Sequence, residues 1–343
     1  MKLVSLALTL IMTTTAAEYS ARQLTTDGVI DIVLTDSKRH QEVRIAPELG
    51  NNAYEFKTNG KRVLWSPYQT LAEFKNKPTQ LGNPFLAPWA NRLDGESYFV
   101  NGKKYVLNPN LKNYRNDGNQ KPIHGLITNA AWSVVKVHAD AKGAYATSRL
   151  EFWKHPDWMA QFPFAHTYEM TYRLANGVLE CETRIDNHST EAMPVAIGFH
   201  TYYSVHDAPR DQWTVHLPAK ERVVANAQLI PTGERKANDI PEAALLRDYT
   251  FDDGFTGLMR DESGRAIFWV KGKQEKISVL FGPKYPVSVV WAPKGRGEFI
   301  CFEPMAGPTN AINLGHEGKY PDLQKIAPGS HWKESFWIKP EGF

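Results

Sequence analysis

Apolar and polar residues alternate with period two along much of the chain. In Thr167-Tyr168-Glu169-Met170-Thr171-Tyr172-Arg173-Leu174, Tyr168, Met170, Tyr172 and Leu174 share one face, with Glu169, Thr171 and Arg173 on the other. Val178 to Ile185 repeats the pattern, with Leu179, Cys181, Thr183 and Ile185 opposite Glu180, Glu182 and Arg184. Between the runs, Asn176-Gly177 tolerates positive φ, so the pair is expected to form a hairpin. A second hairpin is predicted at Tyr98 to Tyr105 around Asn101-Gly102. Further strand-like runs lie at Ile30 to Leu34, Glu42 to Ile45, Lys61 to Leu64, Trp132 to Val137, Ser148 to Phe152 and Val195 to His200. Others follow at Trp213 to Leu217, Ala266 to Val270, Ile277 to Phe281, Val287 to Trp291 and Ser335 to Ile338. Short strands broken by Gly, Pro and Asn predict an all-β fold, a large antiparallel sandwich. Helical pattern is thin: one turn at Pro241 to Leu246 and a short helix at Tyr68 to Phe74, after Ser66-Pro67. No repeat or linker divides the chain, so residues 24 to 343 are expected to form a single domain.

The first 17 residues depart from this pattern. Lys2 supplies a positive start, Leu3 to Met12 is apolar, and Thr13 to Ala17 is rich in small residues, which reads as an export signal cleaved after Ala17. An uncleaved tether is the alternative. No later segment approaches the ~20 apolar residues of a membrane span, so a periplasmic or secreted protein is expected.

Charge and composition narrow the partners. The formal net charge is +3, and the basic residues are scattered rather than blocked, unlike a nucleic-acid binder. Ten Trp and fourteen Tyr suit a β core and also a carbohydrate site, where flat rings stack on sugars. Cys181 and Cys301 are the two cysteines, which excludes a disulfide scaffold; two buried thiols are the expected state, with one bridge as the alternative.

Glu303 is the residue most out of keeping with its neighbours. It sits in Phe299-Ile300-Cys301-Phe302-Glu303-Pro304-Met305, and a carboxylate in apolar surroundings must be paired or have its pKa raised. A buried ion pair and a general base are both open on that ground. His200 ends an apolar run before Tyr202 and Tyr203, and His124 lies between Pro122-Ile123 and Gly125. A histidine's ordinary pKa of about 6.5 suits proton transfer. Arg92, after Pro88-Trp89-Ala90-Asn91, would sit at a strand end and donate several hydrogen bonds to hydroxyl oxygens. Asp252 and Asp253 are adjacent acids, but no dense carboxylate loop surrounds them, so no metal is expected. Nucleophile-elbow, zinc-protease, Walker and dinucleotide motifs do not occur.

Taken in order, these pieces resemble the aldose 1-epimerases, or galactose mutarotases. The likeness rests on Asn91-Arg92-Leu93, Gly102 to Leu107, His124-Gly125 leading to Trp132, Phe199-His200-Thr201-Tyr202-Tyr203, Glu303-Pro304 and Ile326 to Phe336. It implies a β-supersandwich with an open cleft, no cofactor, and interconversion of the α and β anomers of free aldohexoses such as glucose or galactose. In the resemblance Glu303 is the base and His200 the acid, while Asn91, Arg92, His124, Tyr202 and Asp252 bind the sugar. Asp253 competes with Asp252 for that last role. A hexose-6-phosphate 1-epimerase, needing extra cations for phosphate, and a silent carbohydrate-binding module are the alternatives.

Overall fold

The computed structural model describes residues 18–343, so the expected export signal lies outside the described residues. Three antiparallel sheets carry the architecture. The largest runs in spatial order Ser133–Asp140, Gly143–Glu151, His166–Ala175, Val178–Asn187, His331–Glu341, Lys276–Phe281, Ala266–Lys271, Thr214–His216 and Ala244–Leu245. The last strand of the chain thus lies between two earlier segments, pairing Cys181 with Phe336 on one side and Val279 with Ile338 on the other. A second sheet runs Pro231–Ala237, Ala219–Ala225, Phe251–Leu258, Val287–Ala292, Ile300–Met305, Gly198–Phe199 and Phe85–Leu86, with Tyr202–Tyr203 also on Ile300–Met305. A third, five-stranded sheet is built from residues 19–62.

The expected hairpin forms in register, Tyr172 opposite Cys181, around Asn176 and Gly177 at φ 52° and 81°. Its second strand alternates half-buried and buried without exception, because one face meets the core. The two large sheets join through their aromatics. Phe199 packs on Phe336 with ring centroids 4.9 Å apart, and Phe302 on Phe268 at 5.7 Å. Full burial of such side chains stabilises by about 1.5–3 kcal/mol each, and one apolar core extends from Tyr19 to Ile338. Cys181 and Cys301 are both buried free thiols. No helix among the described residues is long and apolar enough to cross a membrane.

Three local expectations shift. The early helix is Leu71–Asn76, where Thr70 and Glu73 form a reciprocal cap that fixes the start. The expected turn at Pro241 to Leu246 is not helical. Ala243 takes φ 54°, Ala244–Leu245 pairs with Thr214–His216, and only Leu246–Asp248 winds as a 3₁₀ turn. Edge pairing overrode the weak helical pattern. Val195 to His200 likewise forms a strand only at Gly198–Phe199, with Ala196 in an isolated bridge to Trp89 and the His200 N–H donating to the Pro84 carbonyl at 3.0 Å.

Candidate active site

Strand alternation fixes the site's floor. Along Ile300–Met305, Ile300 and Phe302 enter the main core, which leaves Cys301, Glu303 and Met305 on the opposite face. Val289 lies opposite Glu303, Trp291 opposite Cys301, and Asp252 opposite Trp291. Period two therefore sends Asp252 to the face of Glu303 and Asp253 to the other, where Arg222 donates to Asp253 at 2.7 Å. Gly198, paired with Met305, sits in close approach to that strand, since a Cβ there would lie 2.0 Å from the Met305 sulfur and 3.0 Å from the Pro304 carbonyl oxygen.

A locked pair of loops forms the wall. Asn91 and His124 adopt φ 53° and 65°, left-handed values that Asn and His accept more readily than most residues. The His124 N–H donates to the Asn91 carbonyl at 2.9 Å, Leu93 N–H to Pro122 at 2.9 Å, and Leu126 N–H to Ala87 at 2.8 Å. Gly125 permits the clasp, because a Cβ would meet the Ala87 oxygen at 2.0 Å. These elements enclose a cleft of about 670 Å³ lined in part by Glu303, His200, His124, Asn91, Arg92 and Asp252. The seventh expected residue, Tyr202, is not part of that lining. It is buried behind His200, rings stacked at 4.9 Å, and packs with Trp65 and Phe299.

Glu303 and His200 face each other, with His200 Nε2 3.3 Å from Glu303 Oε1. Both are almost fully enclosed, and neither Glu303 Oε2 nor His200 Nδ1 has a hydrogen-bond partner. Burial pushes the Glu303 carboxyl well above its ordinary value, and the negative charge of Asp252 adds to this, against the pull of Arg92 and Asn91. Burial also lowers His200 to about 3, assisted by the positive charges of Arg115 and Arg92. His124, edge-on to His200 at 5.5 Å, is held well below the usual histidine range by burial and by His200. Enclosure thus favours the neutral form of each group, a protonated Glu303 carboxyl beside an uncharged His200 imidazole, and the 3.3 Å contact places the pair to share one proton.

Arg92 is oriented by two acids. Its Nε donates to Asp117 at 2.6 Å, and its Nη2 lies 3.9 Å from Asp252. Asp252 is raised chiefly by enclosure, although 40 % of its side chain is exposed. Asp117, Arg115, Arg296 and Trp291 also line the cleft, and sequence reasoning missed all four. Trp291 had a usable signal, because Val287, Val289 and Trp291 alternate on one face of an expected strand. Arg115 and Asp117 had none, since a two-residue pairing of Arg115–Asn116 with Pro122–Ile123 brings them in. No group of three or more His, Cys, Asp or Glu among the described residues is arranged to hold a metal ion.

Comparison with known proteins identifies the family and the fold. Residues 32–339 match the family model described as aldose 1-epimerase. The Escherichia coli K12 protein YihR is 24% identical over 240 residues, covering 67% of this chain and 71% of YihR. Among solved structures, a galactose mutarotase-like protein from Clostridium acetobutylicum superposes with TM-score 0.84 at 21% identity, covering 95% of this chain and 99% of that one. Galactose 1-epimerase from Lactobacillus acidophilus gives TM-score 0.71 at 16% identity, covering 96% and 100%. At these identities the structural matches establish the fold.

Proposed function

The chain belongs to the aldose 1-epimerase family of isomerases, and from that premise we propose that it interconverts the α and β anomers of a free aldohexopyranose, with Glu303 and His200 moving the protons. The observation that carries this reading is the enclosed carboxyl of Glu303, held 3.3 Å from an imidazole nitrogen on the floor of an open cleft. Ring opening of a hemiacetal needs a base at the C1 hydroxyl and an acid at the ring oxygen. In the reactive arrangement the shared proton sits on His200 and Glu303 is ionised, the form that Arg92 and Asn91 favour. Glu303 takes the C1 hydroxyl proton as His200 gives its proton to the ring oxygen, and the bond from C1 to that oxygen breaks. Rotation about C1–C2 and closure, with the two roles reversed, give the other anomer and restore the pair.

Asn91, Arg92, His124 and Asp252 orient the sugar hydroxyls in this reading, and Tyr202, outside the cleft lining, fixes the His200 ring from behind. Export, as residues 1–17 suggest, would place the enzyme among extracellular or periplasmic sugars. The test is anomer exchange measured by polarimetry and exchange NMR on glucose and galactose. Relaxation faster than in buffer is expected, reduced roughly 10²- to 10⁴-fold by Glu303→Gln and by His200→Asn. Acceleration that survives both changes would remove the proton-transfer roles.

A further inference from the structure

The sheet face that carries Glu303 continues past it into a second cavity, which the proposed reaction leaves unused. Glu303 lies opposite Val289, Val289 opposite Gly254, and the next strand brings Val223 alongside Gly254. Gly254 adds no side chain to this row and so leaves a hollow in the face; a Cβ there would meet Val223 Cγ2 at 3.2 Å. Over the hollow is a cavity of about 270 Å³ walled by Val223, Leu229, Pro231, Val287 and Val289. Asn91, Arg92 and Asp252 line both this cavity and the catalytic cleft, so the two volumes meet at those residues.

Two local irregularities shape the outer wall. The pairing of Ala219–Ala225 with Pro231–Ala237 slips between Val223 and Ala225, a bulge of the kind that re-aims side chains beside binding sites. Beyond it Leu229 takes φ 60°, rare for a bulky residue, in a loop held by Asn226, whose side chain accepts the Gln228 N–H at 2.9 Å and the Ile230 N–H at 3.1 Å. That conformation is costly for leucine, and it keeps Leu229 on the cavity wall. Lys236 and Asp253 also reach the cavity, and Asp253 is already paired with Arg222 at 2.7 Å. At the boundary with the cleft, Arg92 Nη2 stops 3.9 Å from Asp252, beyond hydrogen-bond reach, so a donor and an acceptor stand there unjoined.

The order of the strands decides which carbon of the sugar faces this cavity. His200, directly after Gly198–Phe199, lies on one side of Glu303 in the sheet, and Asp252 with the cavity lies on the other. With the ring oxygen at His200 and the C1 hydroxyl at Glu303, as the proposed reaction requires, the ring atom carried toward Asp252 is C2. A hydroxyl on C2 ends at Asp252 and Arg92 and leaves the apolar wall unfilled. An acylamido group on C2 uses both: its N–H donates to Asp252, its carbonyl accepts from Arg92, and its alkyl end enters the cavity.

We propose that the preferred substrate is a reducing aldose with an acylamido group at C2, in its simplest form a 2-acetamido-2-deoxyhexose, with the acyl chain seated against Val223, Leu229 and Val289. This rests on the epimerase reading above and names the substrate class for the same site. The discriminating experiment measures kcat/KM for anomer exchange by NMR, with wild type and Val223→Phe. The sugars are glucose, glucosamine, N-acetylglucosamine, its N-propanoyl and N-butanoyl homologues, galactose and N-acetylgalactosamine. Each acetamido sugar should exceed its 2-hydroxy parent about tenfold, from one buried methyl group and one amide hydrogen bond. In wild type each added methylene should raise the value a further factor of about 3 to 4 until the cavity is full, a readout independent of any variant. Val223→Phe fills the cavity and should lower the acetamido-to-hydroxyl ratio roughly tenfold while abolishing the gain with chain length. If N-acetylglucosamine exchanges no faster than glucose and the acyl series shows no rise, the C2 assignment is overturned while the epimerase reading stands. A gain for glucosamine as large as that for N-acetylglucosamine also overturns it, since the charge on Asp252 then accounts for the preference. If no sugar exchanges faster than in buffer, both readings fall.

Discussion

Two glutamates, Glu275 and Glu303, are buried to the same extent, each with 1 % of its side chain exposed, yet their surroundings are opposite. Glu275 receives Lys61 Nζ at 2.6 Å and the His206 N–H at 2.5 Å, one for each carboxylate oxygen. Glu303 has His200 at 3.3 Å and an Oε2 with no partner. Burial alone therefore does not mark chemistry. The carboxylate whose oxygens are satisfied holds the third sheet to the rest of the fold, and the one left incomplete is free to exchange a proton with a substrate.

The largest expected effect breaks that contrast directly. Glu303→Gln should cost roughly 10²- to 10⁴-fold in anomer exchange with little change in unfolding midpoint, whereas Glu275→Gln should keep activity and lose about 1–3 kcal/mol of stability. Paired polarimetry and urea unfolding on the two variants check this, and interchanged outcomes would reverse the assignment. Next in size, exchanging the adjacent acids separates cleft from surface. Asp252→Asn should lower kcat/KM about tenfold or more through a lost charged contact. Asp253→Asn removes only the ion pair to Arg222, for an effect within about 1 kcal/mol on stability and none on kinetics.

The pH dependence of stability sharpens the contrast from a separate direction. His200 is lowered to about 3, so the unfolded chain binds more protons between that value and about 6.5; its contribution is present above pH 6.5 and is lost as pH falls toward 3. Glu303 is raised, so its contribution is present below about pH 4.3 and is lost as pH rises through the elevated value. Denaturation midpoints across pH 4 to 8 should show a flatter acid limb in His200→Asn and a flatter alkaline limb in Glu303→Gln. Unchanged limbs in both variants would mean that neither group is shifted.

How much of this was legible in the sequence follows from the range of each signal. The hairpin around Asn176-Gly177 was readable because alternation and turn residues are local. Glu303 stood out because its apolar neighbours are adjacent in sequence, although nothing in the sequence separated a satisfied acid from an unsatisfied one. That distinction depends on partners from distant segments, such as Lys61 and His206 for Glu275. Asp252 and Asp253 were undecided until the pairing of Asp252 with Trp291 and Asp253 with Val290 showed which face each takes. Arg115 was silent for the same reason, since its two-residue ribbon carries no periodicity. The turn expected at Pro241 to Leu246 failed where a sheet edge outcompeted a weak local preference.

The protonation state of Glu303 tests the central claim most directly. Difference infrared spectroscopy at neutral pH, wild type against Glu303→Gln with Glu275→Gln as control, resolves a protonated carboxyl from a carboxylate. The expected result is a protonated-acid C=O band that disappears with Glu303→Gln, persists with Glu275→Gln, and diminishes when a sugar substrate is added. A Glu303 signal consisting only of carboxylate bands at neutral pH would contradict the account of a single shared proton resting on this residue.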